Sequence, residues 1–234
     1  IFMFHTIIQA RMGSKRLPGK SLRSYKNITP LEVLCKRLKK VKEVSKIIVA
    51  TTKEKKDDKI VNFCKNLNIS YFRGSSNNVL NRYYCAAKKF KSKEIIRLTA
   101  DNPFIDKKTL IKMIKIKKNN SYDYVANTYP MPCTYPDGSD IEIFDYYSLE
   151  KSYNEAFLPS DKEHVTKYFW SSKKFKCKRI DNIKNLSKYR YTIDTVDDFT
   201  LFKFIIKKNY KNYTNLSMKK IIKLIDDNPD VVSY

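Results

Sequence analysis

Glycine is scarce in this chain. Four residues occur in 234, where average usage would give roughly 16, and a chain so short of glycine keeps it where a side chain would not fit. Cysteine is equally uninformative as a scaffold. Cys35, Cys64, Cys85, Cys133 and Cys177 are scattered, odd in number and never in a Cys-x-x-Cys pair, which argues against a disulfide framework or a zinc site and predicts reduced thiols. No run approaches the ~20 apolar residues that span a bilayer. The opening Ile1-Phe2-Met3-Phe4 is too short for a signal peptide and has no small-residue cleavage site, so the expectation is a cytoplasmic enzyme or binding protein. Acidic residues are half as numerous as basic ones, 24 against 48, for a net charge of +24. A basic surface attracts phosphate of any sequence, yet only nine of those 48 are arginine, and the lysines are spread evenly along the helical stretches. A solvated lysine-rich surface, with no nucleic-acid partner, is the reading favoured over a basic RNA-binding module.

What is present is an alternation of strands and amphipathic helices. Phe4 to Gln9, Lys46 to Thr52, Ile69 to Phe72, Glu94 to Thr99 and Tyr122 to Asn127 read as strands. Between them Leu31 to Val41, Asp57 to Leu67, Asn78 to Phe90 and Lys107 to Ile116 read as helices. This spacing predicts βαβ crossovers, a mostly parallel sheet and the α/β class. Beyond Asn127 the rhythm changes: Pro130, Pro132 and Pro136 forbid regular structure across seven residues. Strands are then expected at Asp140 to Phe144, Phe175 to Ile180 and Tyr189 to Ile193, and helices at Tyr146 to Glu155, Lys162 to Trp170, Val196 to Lys207 and Met218 to Leu224. No repeat or linker divides the chain, so it reads as one domain. Its parts are a nucleotide-binding half at 1–127, an inserted segment at 128–190 and a closing region at 191–234.

None of the four glycines falls inside an expected helix or strand. Gly13 and Gly19 bracket a loop after the first strand, Gly74 follows the third, and Gly138 ends the proline-rich loop. In an open parallel sheet the loops leaving the carboxyl ends of the strands line the ligand crevice. The first of these loops, Ile7 to Lys20, reads IIQARMGSKRLPGK and crowds Arg11, Lys15, Arg16 and Lys20 together. Like charges repel, so an anion belongs among them. The loop matches neither GxGxxG nor GxxxxGK[ST]; it offers backbone N–H groups around Gly13 and Ser14 and charge-assisted donors, which is a triphosphate cradle.

QARMGSKRLPGKSL resembles the N-terminal signature of nucleotidyltransferases that make CMP-activated sugars. These are the acylneuraminate and 3-deoxy-octulosonate cytidylyltransferases, and most closely the branch named for spore coat polysaccharide biosynthesis. The likeness continues through IIVATT, FRGSSNNVLNRYYCAA, IIRLTADNPFID, YPDGSDIEIF, LPSDKEHVT and YRYTIDTVDDF. It implies a single-domain, Rossmann-like nucleotide-diphospho-sugar transferase fold, with a mostly parallel mixed sheet, helices on both faces and an inserted segment for acceptor binding and dimerisation. It implies Mg²⁺-dependent transfer of CMP from CTP to a polar or anionic sugar or sugar-like acceptor in cell-surface polysaccharide synthesis, with release of pyrophosphate. A homodimer with no membrane partner is expected.

The resemblance also assigns residues. Arg11, Arg16 and Lys20 match triphosphate-binding positions, Lys20 and Arg11 with a catalytic role; Ala10 and Gly13 let the backbone approach the nucleotide. Asp101 and Asp194 match Mg²⁺ ligands, Asp101 also at the catalytic centre. From spacing alone, Asp101 is equally a turn residue before Pro103, and Asp194 a cap for the next helix. Base selection falls to Thr51, Thr52, Arg73, Asn78 and Arg82. Here the chain departs from the family, carrying Asn77 and Asn78 where acidic residues are usual; UTP or dTTP is the alternative nucleotide. Acceptor contacts are expected from Tyr135, Asp137, Asp140, Glu142 and His164, with Asp140 and Glu142 on one face of a strand.

Overall fold

Pairs of adjacent apolar residues dictate the layers. Ile7 and Ile8, Ile48 and Val49, and Ile95 and Ile96 are all fully buried, because successive side chains of a strand point to opposite faces and here both faces are covered. The computed structural model describes residues 3–231, so Ile1 and Phe2 of the opening tetrapeptide lie outside it. Seven strands form one sheet: β1 (Phe4–Gln9), β2 (Val44–Thr52), β3 (Ser70–Gly74), β4 (Glu94–Thr99), β5 (Tyr124–Ala126), β6 (Glu142–Asp145) and β7 (Cys177–Arg179). Their spatial order is β3-β2-β1-β4-β6-β5-β7. Among them β6 alone runs antiparallel to its neighbours β4 and β5, so the sheet is mixed and mostly parallel.

Helices α1 (Pro30–Leu38) and α2 (Asp58–Asn66) lie on one face, followed by α3 (Val79–Lys89) on the other and α4 (Lys107–Asn119) on the first. The second face is completed by α5 (Tyr146–Glu155), α6 (Pro159–His164) and α7 (Lys167–Ser171). A third apolar cluster joins α8 (Val196–Lys208) and α9 (Met218–Asp226) to Val33 of α1 and to Leu17, an apolar residue in the middle of the basic loop. Leu17 is 2% exposed; burying it pins a loop that charge repulsion would otherwise open. Arg37 of α1 fastens the same region by donating to the carbonyls of Ile105 and Leu216. No helix among the described residues is long and apolar enough to cross a membrane.

Three expectations are corrected. Tyr189 to Ile193 is not a strand: it makes one isolated bridge, Arg190 with Asp137. Its alternation is real, with Tyr189, Tyr191 and Ile193 buried in the third cluster, but its backbone bonds to the loop at Asp137 and to the Asp101 carbonyl rather than to a strand. Lys162 to Trp170 is not one helix. It breaks at Val165, which is fully buried at φ 57°, a conformation rare for a β-branched residue and imposed by the packing of Val165 and the bond from the Thr166 hydroxyl to Glu142. Asp140 also lies in the approach to β6 rather than within it.

Gly138 closes the proline-rich loop against this strap at φ +106°, where a Cβ would stand 2.4 Å from Thr192 N. Gly138→Ala is expected to lower unfolding free energy by about 1–3 kcal/mol from backbone strain alone, read as a lower urea midpoint at an unchanged slope; an unshifted midpoint would show that the loop moves away freely.

Candidate active site

The sheet reverses its winding between β1 and β4, and a crevice forms beyond the carboxyl ends of these strands. A cleft of about 610 Å³ lies there, walled by Gln9 and Ala10 at the end of β1, by Thr99 to Asp101 at the end of β4, and by Arg11, Arg16 and Lys20 from the basic loop. Tyr129, His164 and Asp194 close its other sides. The loop is shaped by its own backbone. Gly19, at φ 71°, donates to Met12 O at 2.9 Å and turns the chain into a single 3-10 turn starting at Lys20. Met12 N donates to Asp57 Oδ1 at 2.7 Å, and the second oxygen of Asp57 accepts from Thr52 N at 3.2 Å and from the Thr52 hydroxyl. Asp57, fully buried, thus ties the loop to the end of β2; the sequence reading took it only as a helix start.

Lys20 Nζ is the centre of the site. It donates to Asp101 Oδ2 at 2.5 Å and to Asp194 Oδ1 at 2.7 Å. Asp194 Oδ2 accepts from Arg16 at 2.7 Å and from Arg190 at 3.2 Å. Burial pushes the Asp194 carboxyl upward, but Lys20, Arg16 and Arg190 outweigh it and hold it below the usual carboxylate range. Asp198 positions this residue: its carboxylate accepts from the backbone N–H groups of Asp194 and Thr195 and from Arg190 while it caps α8. Arg11 and Lys15 are exposed and make no ion pair among the described residues. Two hard carboxylates around one point suit Mg²⁺, and Asp101 Oδ1 is buried without a partner, so the donor set fits that ion.

The structure brings Ala10, Arg11, Arg16, Lys20, Asp101, Asp194 and His164 around one cleft, with Gly13 in the loop itself. It does not bring the expected base-selecting residues to the cleft wall. Thr51 and Thr52 are buried at the end of β2. Arg73 donates to Thr52 O and Glu54 O and pairs with Asp58 at 2.6 Å. Asn78 caps α3 by accepting from Asn81 N at 2.8 Å. Arg82 is fully buried, donates to Ser75 O at 2.6 Å, and keeps Nε and one terminal nitrogen without partners; burial pulls its pKa down.

A cavity of about 140 Å³ adjoins the cleft, lined by Arg97, Thr99, Tyr129, Asp140, Glu142 and His164 among others. Arg97, unnamed as a site residue in the sequence reading, pairs with Glu142. Tyr135 and Asp137 do not reach this cavity: Tyr135 is buried beside Thr109, and Asp137 pairs with Arg190 at the surface.

Asp140 titrates far from its usual range, pushed up to about 7 by burial first, then by Asp137, Glu142 and Asp101, against an opposing effect of Arg97. The folded state therefore holds a proton that the unfolded chain releases near pH 4, and ionisation of this group opposes folding as pH rises. Relative to Asp140→Asn, the protein is expected to lose thermal stability progressively between about pH 4 and pH 7, with a constant gap above that window; a gap independent of pH would place the Asp140 carboxylate in water.

A family model described as cytidylyltransferase matches residues 5–225. An uncharacterized protein of Methanocaldococcus jannaschii is 36% identical over 228 residues, spanning 96% of this chain and 91% of its own. The spore coat polysaccharide biosynthesis protein SpsF of Bacillus subtilis is 31% identical over 239 residues, spanning 97% and 95%. A solved cytidylyltransferase from Leptospira borgpetersenii superposes with a TM-score of 0.90 at 37% identity, with 99% of each chain covered. A CMP:2-keto-3-deoxy-manno-octonic acid synthetase complexed with CTP shares the fold at a TM-score of 0.66 and 14% identity, covering 88% of this chain and 99% of its own. With its fold, its strand-end carboxylates and a match over nearly its whole length, this chain belongs to the cytidylyltransferase family and is a nucleotidyltransferase.

Proposed function

We propose that this enzyme uses CTP and Mg²⁺ to place a CMP unit on a hydroxyl of a polar sugar or sugar-like acceptor, releasing pyrophosphate, as a step in cell-surface polysaccharide or glycoconjugate synthesis. The observation that carries this reading is Lys20 held between Asp101 and Asp194 at the switch point of the sheet, with Arg11, Lys15 and Arg16 at its edge. Attack at the α-phosphorus builds negative charge on the leaving pyrophosphate, and preorganised cations lower that barrier because they need no reorientation. Arg11 makes no ion pair among the described residues and Arg16 would turn from Asp194 to the phosphates, while Ala10 lines the cleft with little side chain in the way. Lys20 is placed to follow charge from the carboxylates onto the transferred phosphoryl group. Asp101 and Asp194 would hold the ion, which supplies charge neutralisation across the phosphate oxygens. The cytoplasm, where nucleoside triphosphates are made, is the compartment this reaction requires.

UTP or dTTP is the second reading, favoured by one observation: Asn77 and Asn78 stand where the family carries acids. A thermal-shift panel of CTP, UTP, dTTP, ATP and GTP, each with Mg²⁺, separates these, since selective binding stabilises the native state by mass action. Stabilisation by CTP is expected, diminished in Asp101→Ala, and Lys20→Ala is expected to bind nucleotide but abolish pyrophosphate release. A shift confined to UTP or dTTP would select the second reading; equal small shifts with every triphosphate would indicate a basic surface attracting phosphate.

We also infer a homodimer through the inserted segment, supported by the exposed apolar side chains of Met131, Tyr147 and Phe157. Light scattering should give twice the chain mass at micromolar concentration, and a monomer mass would refute it.

A further inference from the structure

A helix start that gives up its own cap marks a second duty for the side chain. Asp57 stands at the N-cap of α2, where a carboxylate ordinarily accepts from the N–H groups two or three residues ahead, yet it makes no such bond. Both oxygens turn away from the helix. Oδ1 accepts from Met12 N at 2.7 Å, 45 residues earlier in the chain, and Oδ2 accepts from Thr52 N at 3.2 Å and from the Thr52 hydroxyl. Asp57 is fully buried and has no ion pair among the described residues. A carboxylate in that setting is tolerated because each oxygen is supplied with donors, and withdrawing them leaves a buried charge uncompensated.

The partner that Asp57 reaches is the hinge of the basic loop. Met12 is held at both ends, its N–H on Asp57 and its carbonyl accepting from Gly19 N at 2.9 Å, while its side chain packs against the core. Between these two ties the backbone N–H groups of Gly13, Ser14, Lys15 and Arg16 make no hydrogen bond among the described residues. The turn before α2 forms the floor under them: a Cβ on Gly13 would stand 2.7 Å from Lys56 Nζ, which itself pairs with Glu54 at 2.6 Å. A row of unbonded N–H groups beside Arg11, Lys15 and Arg16 suits an oxyanion. Such a row binds well when its shape is fixed beforehand, since the ordering is then not charged against the ligand.

We propose that Asp57 is a positioning residue for nucleotide binding: through Met12 N it holds the basic loop in the shape that presents its backbone N–H groups and cations to the triphosphate, without itself touching the ligand. This inference rests on the nucleoside-triphosphate reading, and the test separates the two.

In Asp57→Asn the shape is kept, but the amide NH₂ must face one of the donors that the carboxylate satisfies. Binding of CTP and of inorganic tripolyphosphate, each with Mg²⁺, is measured by isothermal titration on the wild-type and variant chains. Amide hydrogen exchange is followed by mass spectrometry in segment 10–20 and in α2. Both dissociation constants are expected to rise by the same factor, about 10-fold, as for loss of a hydrogen bond to a charged group. Segment 10–20 is expected to exchange faster while α2 exchanges as before, a pattern that a purely structural cap would not give. Unchanged affinities overturn the proposal. So does a loss confined to CTP, which would place the effect at the base, and so does faster exchange in α2, which would make Asp57 a support for its own helix. Should Asp57→Asn not fold, Thr52→Val, which removes the hydroxyl that orients Asp57, carries the test: a weaker loss of tripolyphosphate affinity is expected, and none overturns the proposal. A wild-type chain that binds neither ligand strikes the nucleotide reading instead.

Discussion

One lysine joins the two halves of the chemistry. Lys20 Nζ lies within 2.7 Å of two carboxylates that are 81 and 174 residues away in sequence. Two half-buried carboxylates facing one space repel each other unless a cation sits between them, and removing that cation would leave both charges uncompensated. The geometry around it follows from this requirement. Gly19 turns the loop so that Lys20 points into the cleft, buried Leu17 anchors the same loop to the C-terminal helices, and the capping of α8 through Asp198 fixes the backbone of Asp194. In the proposed reaction a nucleotide would draw the lysine toward its phosphates and leave the carboxylates to a metal ion, so one contact would link ground-state stability to that reaction.

The surface charge of the chain and the charge of its site obey different rules. Most lysines lie on solvated faces, many with their ammonium over a neighbouring ring, as Lys89 over Phe72 and Lys46 over Phe90. Arginines carry the geometry instead. Arg16, Arg37, Arg73, Arg97 and Arg190 each donate to at least one defined oxygen, and the planar fork lets a single side chain hold two or three partners. Exposed Arg11 and Lys15 differ from these in having no carboxylate partner among the described residues, as cations awaiting a mobile anion should. The net charge of +24 thus says little about the site, whereas the positions of nine arginines say a good deal.

The cavity beyond Thr99 is arranged differently. Arg97 pairs with Glu142, whereas Asp140 has no cation within ion-pair distance among the described residues and is held protonated up to about pH 7 by burial. The likeness to the Leptospira borgpetersenii cytidylyltransferase covers 99% of both chains, yet several side chains around this cavity come from segment 128–190, where proline-rich backbone and a broken helix set their positions.

Most of the first half was legible in the amino-acid sequence. β1 and β4 begin and end where their apolar runs indicate, and α3 and α4 fall within a few residues of expectation, because doubly covered strands and amphipathic helices leave local patterns. The basic loop and its glycines pointed to an anion site through local charge density, and the strand-end aspartates were visible as candidates. Tertiary structure alone decided the rest. Tyr189 to Ile193 alternates like a strand but bonds to loops, and Val165 breaks a helical pattern because burial outweighs local preference. Arg73 and Asn78, adjacent to a glycine turn in sequence, are engaged in an ion pair and a helix cap. Which carboxylate has a cation is likewise invisible in one dimension: Asp140 and Glu142 look equivalent two residues apart, and only the arrival of Arg97 from β4 pairs Glu142 and leaves Asp140 without a cation partner among the described residues. Periodicity records what one element buries; electrostatic pairing is settled by distances across elements, which only the folded chain sets.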